Sequence, residues 1–293
     1  MQRAICSAMM LAVVAVWGWT FVVVKDAVDQ YDVLPFLAIR FLIGAAVLAP
    51  LAVRRLRRGV WAVGTMLGVL LAAAYLFQTY GLLFTTASNG GLITGLFIVF
   101  TPLAGRALFG VRTSIVHWLA IGMSLGGLTM LSLGGLEGIN WGDVLTLGCA
   151  ACYGLHVALM EHHAPQHDAA ALTLVQLLAV AIVCGAAAVG ESAVCGAPLE
   201  WPSNEVWIAI LITGVLATAI GFFVQTFVQQ RLSAVETAVI IVTEPLFAIL
   251  FGCWLHSDRF TPVQIAGTAV MVLAFLLAEL RPLWRQNLGS ELE

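Results

Sequence analysis

The chain of 293 residues is 61% hydrophobic and 10% charged, with a formal net charge of −3. Soluble globular proteins average about 45–50% apolar and about 25% charged residues, so no part of this chain reads as a separate water-soluble domain. There is no basic stripe of the kind nucleic acid requires, and lipid is taken as the solvent for most of the surface.

A membrane helix needs roughly 20 mainly apolar residues. In chain order the spans that meet this lie near 4–24, 35–53, 60–83, 90–109, 115–133, 142–160, 170–189, 206–228, 235–255 and 262–280. The expectation is an all-α polytopic membrane protein of ten helices joined by short loops. A transmembrane β-barrel would alternate apolar and polar residues, and these runs do not. The first span follows Arg3, has no clear small-residue cleavage site and is followed by further spans, so it is read as a retained helix rather than a signal peptide. The final residues 289–293, "GSELE", are read as an appended tail.

The basic residues orient the spans. With the N-terminus placed in the cytoplasm, Arg3, Arg54, Arg55, Arg57, Arg58, Arg106, Arg112, Arg231, Arg281 and Arg285 fall inside. Lys25 and Arg259 fall outside, and Arg40 lies within the second span. This positive-inside bias predicts that both termini are cytoplasmic. The acids Asp26, Asp29, Asp32, Glu137, Glu191, Glu200, Glu205 and Asp258 fall in outer loops, which is weaker evidence.

The two halves repeat. "AVWGWTFVVVK" (Ala15–Lys25) aligns with "ACYGLHVALME" (Ala151–Glu161) at a spacing of 136, which holds as far as Asp32 against Asp168. Tyr75, Gln78 and Thr79 align with Phe222, Gln225 and Thr226, 147 apart, the extra length falling in the longer loop near 190–205. "TGLFIVFTPL" (Thr94–Leu103) aligns with "TAVIIVTEPL" (Thr237–Leu246), so Thr101 corresponds to Glu244 and Pro102 to Pro245. Gly122 aligns with Gly267. The reading is one five-helix repeat over 1–135 and a second over 136–288. Because five is odd, the second copy enters the membrane upside down, which is the inverted-repeat arrangement of many transporters.

Glu244 stands out. It lies about nine residues into its span, roughly 13–14 Å deep at 1.5 Å per residue, near the middle of a ~30 Å hydrocarbon core. An acid there costs about 2.5–3.5 kcal/mol to insert and marks a functional site by default. Pro245 cannot donate to the carbonyl of Ile241, nor Pro102 to that of Ile98. Broken helices at matching positions of two repeats point to a site between them, with Pro102 and Pro245 as hinges. Thr94 and Thr101 share a helix face, as do Thr237 and Glu244. Trp17 and Thr20 share one on the first span, Tyr153 and His156 on the sixth. The candidate substrate-binding set is Trp17, Thr20, Tyr75, Gln78, Thr79, Thr94, Phe97, Thr101, Tyr153, His156, Gln225 and Glu244. Apolar walls with a few placed polar groups suit a small amphipathic molecule. Glu244 or a freed carbonyl suits an ammonium, and amides at a helix break suit a carboxylate. The aromatic walls suit a cationic drug equally well. Glu244 and His156 are the plausible membrane proton carriers, and Arg40 is read as a structural partner for backbone carbonyls or a loop acid.

"AVWGWTFVVVK", the Arg40 of "LAIRFLIGAA", "SNGGLITGLFIVFTPL", "GDVLTLGCAACYGLHVALM" and "AVETAVIIVTEPLFAILF" resemble the EamA family of the drug/metabolite transporter superfamily over nearly the whole chain. The resemblance implies ten helices in two inverted repeats, acting to export amino acids and related metabolites; the inverted repeats give a route to alternating access, and the absence of any Asn-x-Ser/Thr site with the Ala/Gly/Val-rich spans fits a bacterial inner membrane. Within the family, the YddG-type exporters of aromatic and other neutral amino acids are the nearest expectation. The family's glutamate–proline pair maps onto Glu244 and Pro245, while Thr101 leaves the first repeat without a matching acid. The partners so implied are a small-molecule substrate and the bilayer, with no enzyme activity, metal or other cofactor.

Three further signals carry less. His163 and Asp168 in "EHHAPQHD" have a spacing seen in some acyltransferases, and the loop's histidines could gather a metal. "CAAC" (Cys149–Cys152) lies within a span and suits close packing, and only Cys195 falls clearly in an outer loop, so no disulfide is indicated. "GMSLGG" (Gly122–Gly127) contains a Gly-x-x-x-Gly that suits internal packing or a homodimer.

Overall fold

In the computed structural model, residues 2–85, 87–132, 140–196, 199–244, 246–247, 250–251 and 261–289 are described. Pro245, Glu137, Asp258, Arg259 and the last four residues of the tail lie outside them. Among the described residues every regular element is helical. The helices are α1 (Gln2–Val28), α2 (Val33–Ala52), α3 (Arg58–Leu82), α4 (Ala87–Gly95), α5 (Phe97–Phe109) and α6 (Ile115–Ser132). They continue with α7 (Trp141–His163), α8 (Ala169–Cys195), α9 (Asn204–Ile212), a π-helical stretch (Thr213–Ile220), α10 (Gly221–Gln229), α11 (Ala234–Ile241) and α12 (Pro262–Gly289). Six stretches among the described residues are long and apolar enough to cross a membrane: Gln2–Val28, Val33–Arg55, Arg58–Leu82, Trp141–Gln166, Ala169–Cys195 and Asn204–Gln229. Ile93–Phe109, Ile115–Leu131 and Pro262–Ala278 are shorter apolar helices. Of the ninth predicted span, the described part is α11 and a few residues beyond it.

Local chemistry starts and stops these helices. Asn140 and Asp143 form a capping box at the start of α7, and Ser233 and Glu236 form one at the start of α11. Asp168 accepts from the Ala171 amide and Ser203 from the Val206 amide, capping α8 and α9. Each such cap satisfies amides that have no partner inside the helix. Helix α5 ends at Gly110 and α8 at Gly196, both left-handed (φ 66° and 68°), a conformation that glycine adopts without cost.

The packing partners follow an exchange rule. Helix α2 packs on α8, α3 on α7 and α8, α5 on α7, and α6 on α12. The π stretch packs on α2, α10 on α1, and α11 on α1. If each helix of the first half is exchanged with its counterpart in the second, this list maps onto itself. Small residues allow the close approaches. A Cβ on Gly44 would lie 2.8 Å from Thr218 Cγ2, and one on Gly214 would lie 3.1 Å from the Arg40 carbonyl, so α2 and the π stretch meet backbone to backbone. On α6, Gly127 makes the tight contact with Gly267 and Met271 of α12. Gly122 and Gly126 face open space, so the Gly-x-x-x-Gly pair serves no internal packing.

The helix interruption anticipated beside Pro102 falls earlier in the chain. Pro102 sits inside α5, and the break is at Leu96, where the Leu96 amide turns back to the Ile93 carbonyl. A proline crowds the turn on its N-terminal side, and Gly95 gives that side its weakest point. In the second half the break is at Val242 and Thr243, where the Thr243 amide and hydroxyl both reach the Ile240 carbonyl.

Candidate functional site: a polar cavity in the middle of the bundle

A cavity opens between the halves. It encloses about 740 Å³ of atom-free space, part of it open solvent, of which about 80 Å³ can hold the centre of a water molecule. Its lining comes from α1 (Trp17, Thr20, Val24), α2 (Arg40), α3 (Ala74, Tyr75, Gln78, Thr79, Leu82), the α4–α5 break (Thr94, Phe97), α7 (Cys149, Tyr153) and the α11 end (Ile241, Glu244). The lining runs from mid-helix towards the ends of α1 and α3 that carry Val24 and Leu82.

The opposite end is closed by polar contacts. Arg3 pairs with Glu236, and the Ala234 amide donates to Glu161. Gln230 donates to the carbonyls of Ala164 and His167. Deeper in, the Thr173 hydroxyl bonds that of Thr226 at 2.8 Å, and Gln229 donates to the Val157 carbonyl at 2.9 Å.

Nine of the twelve predicted binding residues line the cavity: Trp17, Thr20, Tyr75, Gln78, Thr79, Thr94, Phe97, Tyr153 and Glu244. Thr101, His156 and Gln225 do not. Thr101 donates to its own helix at the Phe97 carbonyl (2.8 Å). His156 is buried, with Nε2 against Gln176 Oε1 at 2.8 Å and its ring stacked on Tyr153. Gln225 accepts from the Tyr153 hydroxyl at 3.4 Å and donates to Gln229 at 3.2 Å. These last two sit one layer towards the closed end.

The cavity wall is aromatic. Phe41 and Phe97 pack edge-on against Tyr75 and Tyr153, and Phe222 fills the floor against Trp17 and Tyr75. The Trp17 indole donates to the Ala217 carbonyl at 2.8 Å, which fixes the ring. The Thr94 hydroxyl lines the cavity beside the Cys149 thiol. Glu244 is half-buried, as expected of a side chain that is covered by the bundle but faces the hollow.

Arg40 was missed as a cavity residue. Its Nε donates to Thr218 Oγ1 at 2.9 Å, within the π-helical stretch, and its guanidinium lies 5.4 Å from the Tyr75 ring centre. The signal for it was present in the repeat. Arg40 stands 136 residues before Gln176, and a charge where the counterpart is a neutral amide is a departure worth a function.

The acyltransferase pair is not assembled. Asp168 caps α8 and accepts from Arg55 at 3.1 Å, while the His163 ring lies against His162. Among the described residues no three His, Cys, Asp or Glu side chains converge as metal ligands.

Long apolar helices around a charged, aromatic-walled hollow define a multi-pass membrane protein of the solute-transporting class. The chain belongs to the EamA-like transporter family, whose model matches it twice, over residues 4–133 and 140–280. It is 31% identical to an uncharacterized transporter of Archaeoglobus fulgidus over 277 residues, 92% of this chain and 85% of that one. It is 23% identical to the uncharacterized inner membrane transporter YedA of Escherichia coli K12, over 92% of this chain and 89% of that one. One solved crystal structure, 18% identical and covering 94% of this chain and 98% of its own, shares the fold with a TM-score of 0.79.

Proposed function

We propose that this transporter exports amino acids, aromatic and other neutral ones, and related small metabolites across a bacterial inner membrane by alternating access. The arrangement proposed is ten helices in two inverted repeats, 1–135 and 136–288, with both termini cytoplasmic. The exchange symmetry of the helix packing and the double family match support the repeats. The arginines of the loop after α2 and Arg231 lie at the closed end, so the positive-inside rule makes the open cavity outward-facing.

The observation that carries the reading is the mid-bundle cavity with Glu244 facing it and walls drawn from both halves. Its aromatic and apolar walls with a few placed polar groups are the make-up of small-molecule sites. In the first half, Trp17, Tyr75, Gln78 and Thr79 are open to the cavity. Of their counterparts, Tyr153 also lines the cavity, while Phe222, Gln225 and Thr226 make the closed layer below, where Gln225 and Thr226 are held in protein hydrogen bonds. If the halves exchange shapes, the second set opens to the cytoplasm and the first set closes.

The test is counterflow of labelled phenylalanine and other solutes in proteoliposomes, for the wild type, Glu244→Gln and Trp17→Ala. Counterflow by the wild type and its loss in both variants, at unchanged protein level, is expected. Transport of none of a panel of amino acids, nucleosides and cationic drugs would end this reading.

A further inference from the structure

Among the described residues that line the cavity there are one cation, Arg40, and one anion, Glu244, contributed by opposite halves. We infer that Arg40 is the group in this cavity that binds a carboxylate, and that with Glu244 it makes the site selective for zwitterions over plain amines. The inference rests on the transport reading above and sharpens its substrate class.

Four observations carry it. First, Arg40 is 4% exposed yet lines the cavity. A buried charge is costly unless it is paired, and within a membrane span it points to function. Second, no carboxylate pairs with it: the ion pairs among the described residues are Arg3–Glu236, Lys25–Asp29 and Arg55–Asp168. Its guanidinium has five N–H donors; Nε donates to Thr218 Oγ1, and the group also reaches the Tyr75 side chain, with Glu244 near enough to act on its charge. The guanidinium carbon lies 5.4 Å from the Tyr75 ring centre, so the terminal nitrogens, the edge that grips a carboxylate in a two-pronged fashion, have the Tyr75 side chain as a protein neighbour and no carboxylate as a direct ion-pair partner among the described residues.

Third, the backbone is built to hold that orientation. π-Helical turns are rare and concentrate at functional sites. The one here spans Thr213–Ile220 and offers Thr218 to Arg40 and the Ala217 carbonyl to Trp17, a second cavity residue. Gly44 and Gly214 remove the side chains that would keep this stretch away from α2.

Fourth, the repeat isolates the charge. Asp32 and Asp168 precede α2 and α8, and eight positions on, Arg40 corresponds to Gln176. Gln176 is satisfied within the protein, by His156 and by the Leu172 carbonyl. Thr101, the counterpart of Glu244, is likewise satisfied by the Phe97 carbonyl. A purely structural tie at position 40 needs only what Gln176 supplies. Instead each half replaces one neutral, satisfied group by a charge that faces the hollow. The two charges are opposite in sign and not in direct contact, which leaves room for a molecule that carries both.

Three ligands of one shape separate the charges: phenylalanine, 3-phenylpropionate (carboxylate alone) and phenethylamine (ammonium alone). Each is tested as a competitor of labelled-phenylalanine counterflow, and by thermal shift on purified protein. For the wild type, phenylalanine binds best and 3-phenylpropionate is recognised. Arg40→Gln should raise the half-maximal concentration of both carboxylates at least about tenfold, the scale of a lost charge-assisted hydrogen bond, and leave the phenethylamine thermal shift unchanged or larger. Arg40→Lys keeps the charge without the planar fork and Thr218→Val frees the fork. Both should lose carboxylate recognition partially and serve if Arg40→Gln does not fold. Wild-type transport of phenylalanine with equal competition in all three variants overturns the role of Arg40 and leaves the amino-acid reading intact. A wild type that recognises phenethylamine but neither carboxylate overturns both.

Discussion

Trp17 provides a sharp test of the packing around the cavity. A Cβ added at Gly221 would lie 2.7 Å from Trp17 Nε1 and 3.2–3.3 Å from the neighbouring ring carbons Cε2 and Cζ2. The indole is 7% exposed and packs against Phe222, so it has little room to retreat. Gly221→Ala must therefore push the ring and break its 2.8 Å bond to the Ala217 carbonyl. Overpacking costs about 1–3 kcal/mol, and a polar bond between membrane helices about 0.6–1.7 kcal/mol. Alanine returns up to about 1 kcal/mol of helix propensity, for a net loss of about 1–4 kcal/mol. Thermal melting in detergent reads the stability and counterflow reads the function; a lower melting temperature and a phenylalanine half-maximal concentration raised several-fold are expected. Gly105→Ala, where the added carbon meets nothing within 4 Å inside α5, is the control and should be neutral or stabilising by up to about 1 kcal/mol. Identical melting and transport in Gly221→Ala and wild type would refute both the placement of Trp17 and the arithmetic.

Other consequences can be checked singly. Gly127→Ala drives a carbon to 2.7 Å from the Gly267 carbonyl and should destabilise the α6–α12 contact, while Gly122→Ala should leave melting unchanged. Asp143→Ala removes the return half of the α7 capping box, the bond from the Asn140 amide, together with the 2.5 Å bond from Thr85, and should cost about 1–2 kcal/mol in chemical unfolding. Arg3→Gln releases α11 from α1 at the closed end and should raise labelling from the cytoplasmic side of a cysteine at Thr226, measured in inside-out vesicles. With Cys195 as the sole cysteine, an impermeant maleimide should label it from outside in spheroplasts, since it is exposed at the end of α8; labelling only from inside would reverse the orientation.

The membrane helices were legible because lipid demands long apolar runs, and the repeat was legible because matching polar residues recur at fixed spacing. Trp17, Tyr75, Thr94 and Glu244 were found for the same reason: a polar or aromatic residue placed in such a run needs somewhere to face. Face arguments did not bring Thr101, His156 and Gln225 to the cavity: the Thr101 hydroxyl turns back to the Phe97 carbonyl, and a helix face shows direction but not depth, so His156 and Gln225 fall in the layer that is closed here. The break at Leu96 was misplaced because a proline marks a weakened helix without fixing which turn gives way. The π-helical stretch leaves no pattern in "TGVLATAI", as its extra residue per turn is recognisable only from the bonds it frees. Arg40 was read as a structural partner, and its bond to Thr218 is a tie of that kind; its place in the cavity lining is what that reading left out.

The account turns on one hollow reached from two sides in turn. Single cysteines placed by Gln78→Cys and Gln225→Cys in an otherwise cysteine-free protein measure this directly, with an impermeant thiol reagent applied to either membrane face. The prediction is that Gln78→Cys labels from outside and Gln225→Cys from the cytoplasm, and that bound substrate or a cross-link holding one side shut changes both rates in opposite directions. Labelling of both positions from the same face, or no labelling of Gln225→Cys from the cytoplasm under any condition, would contradict it.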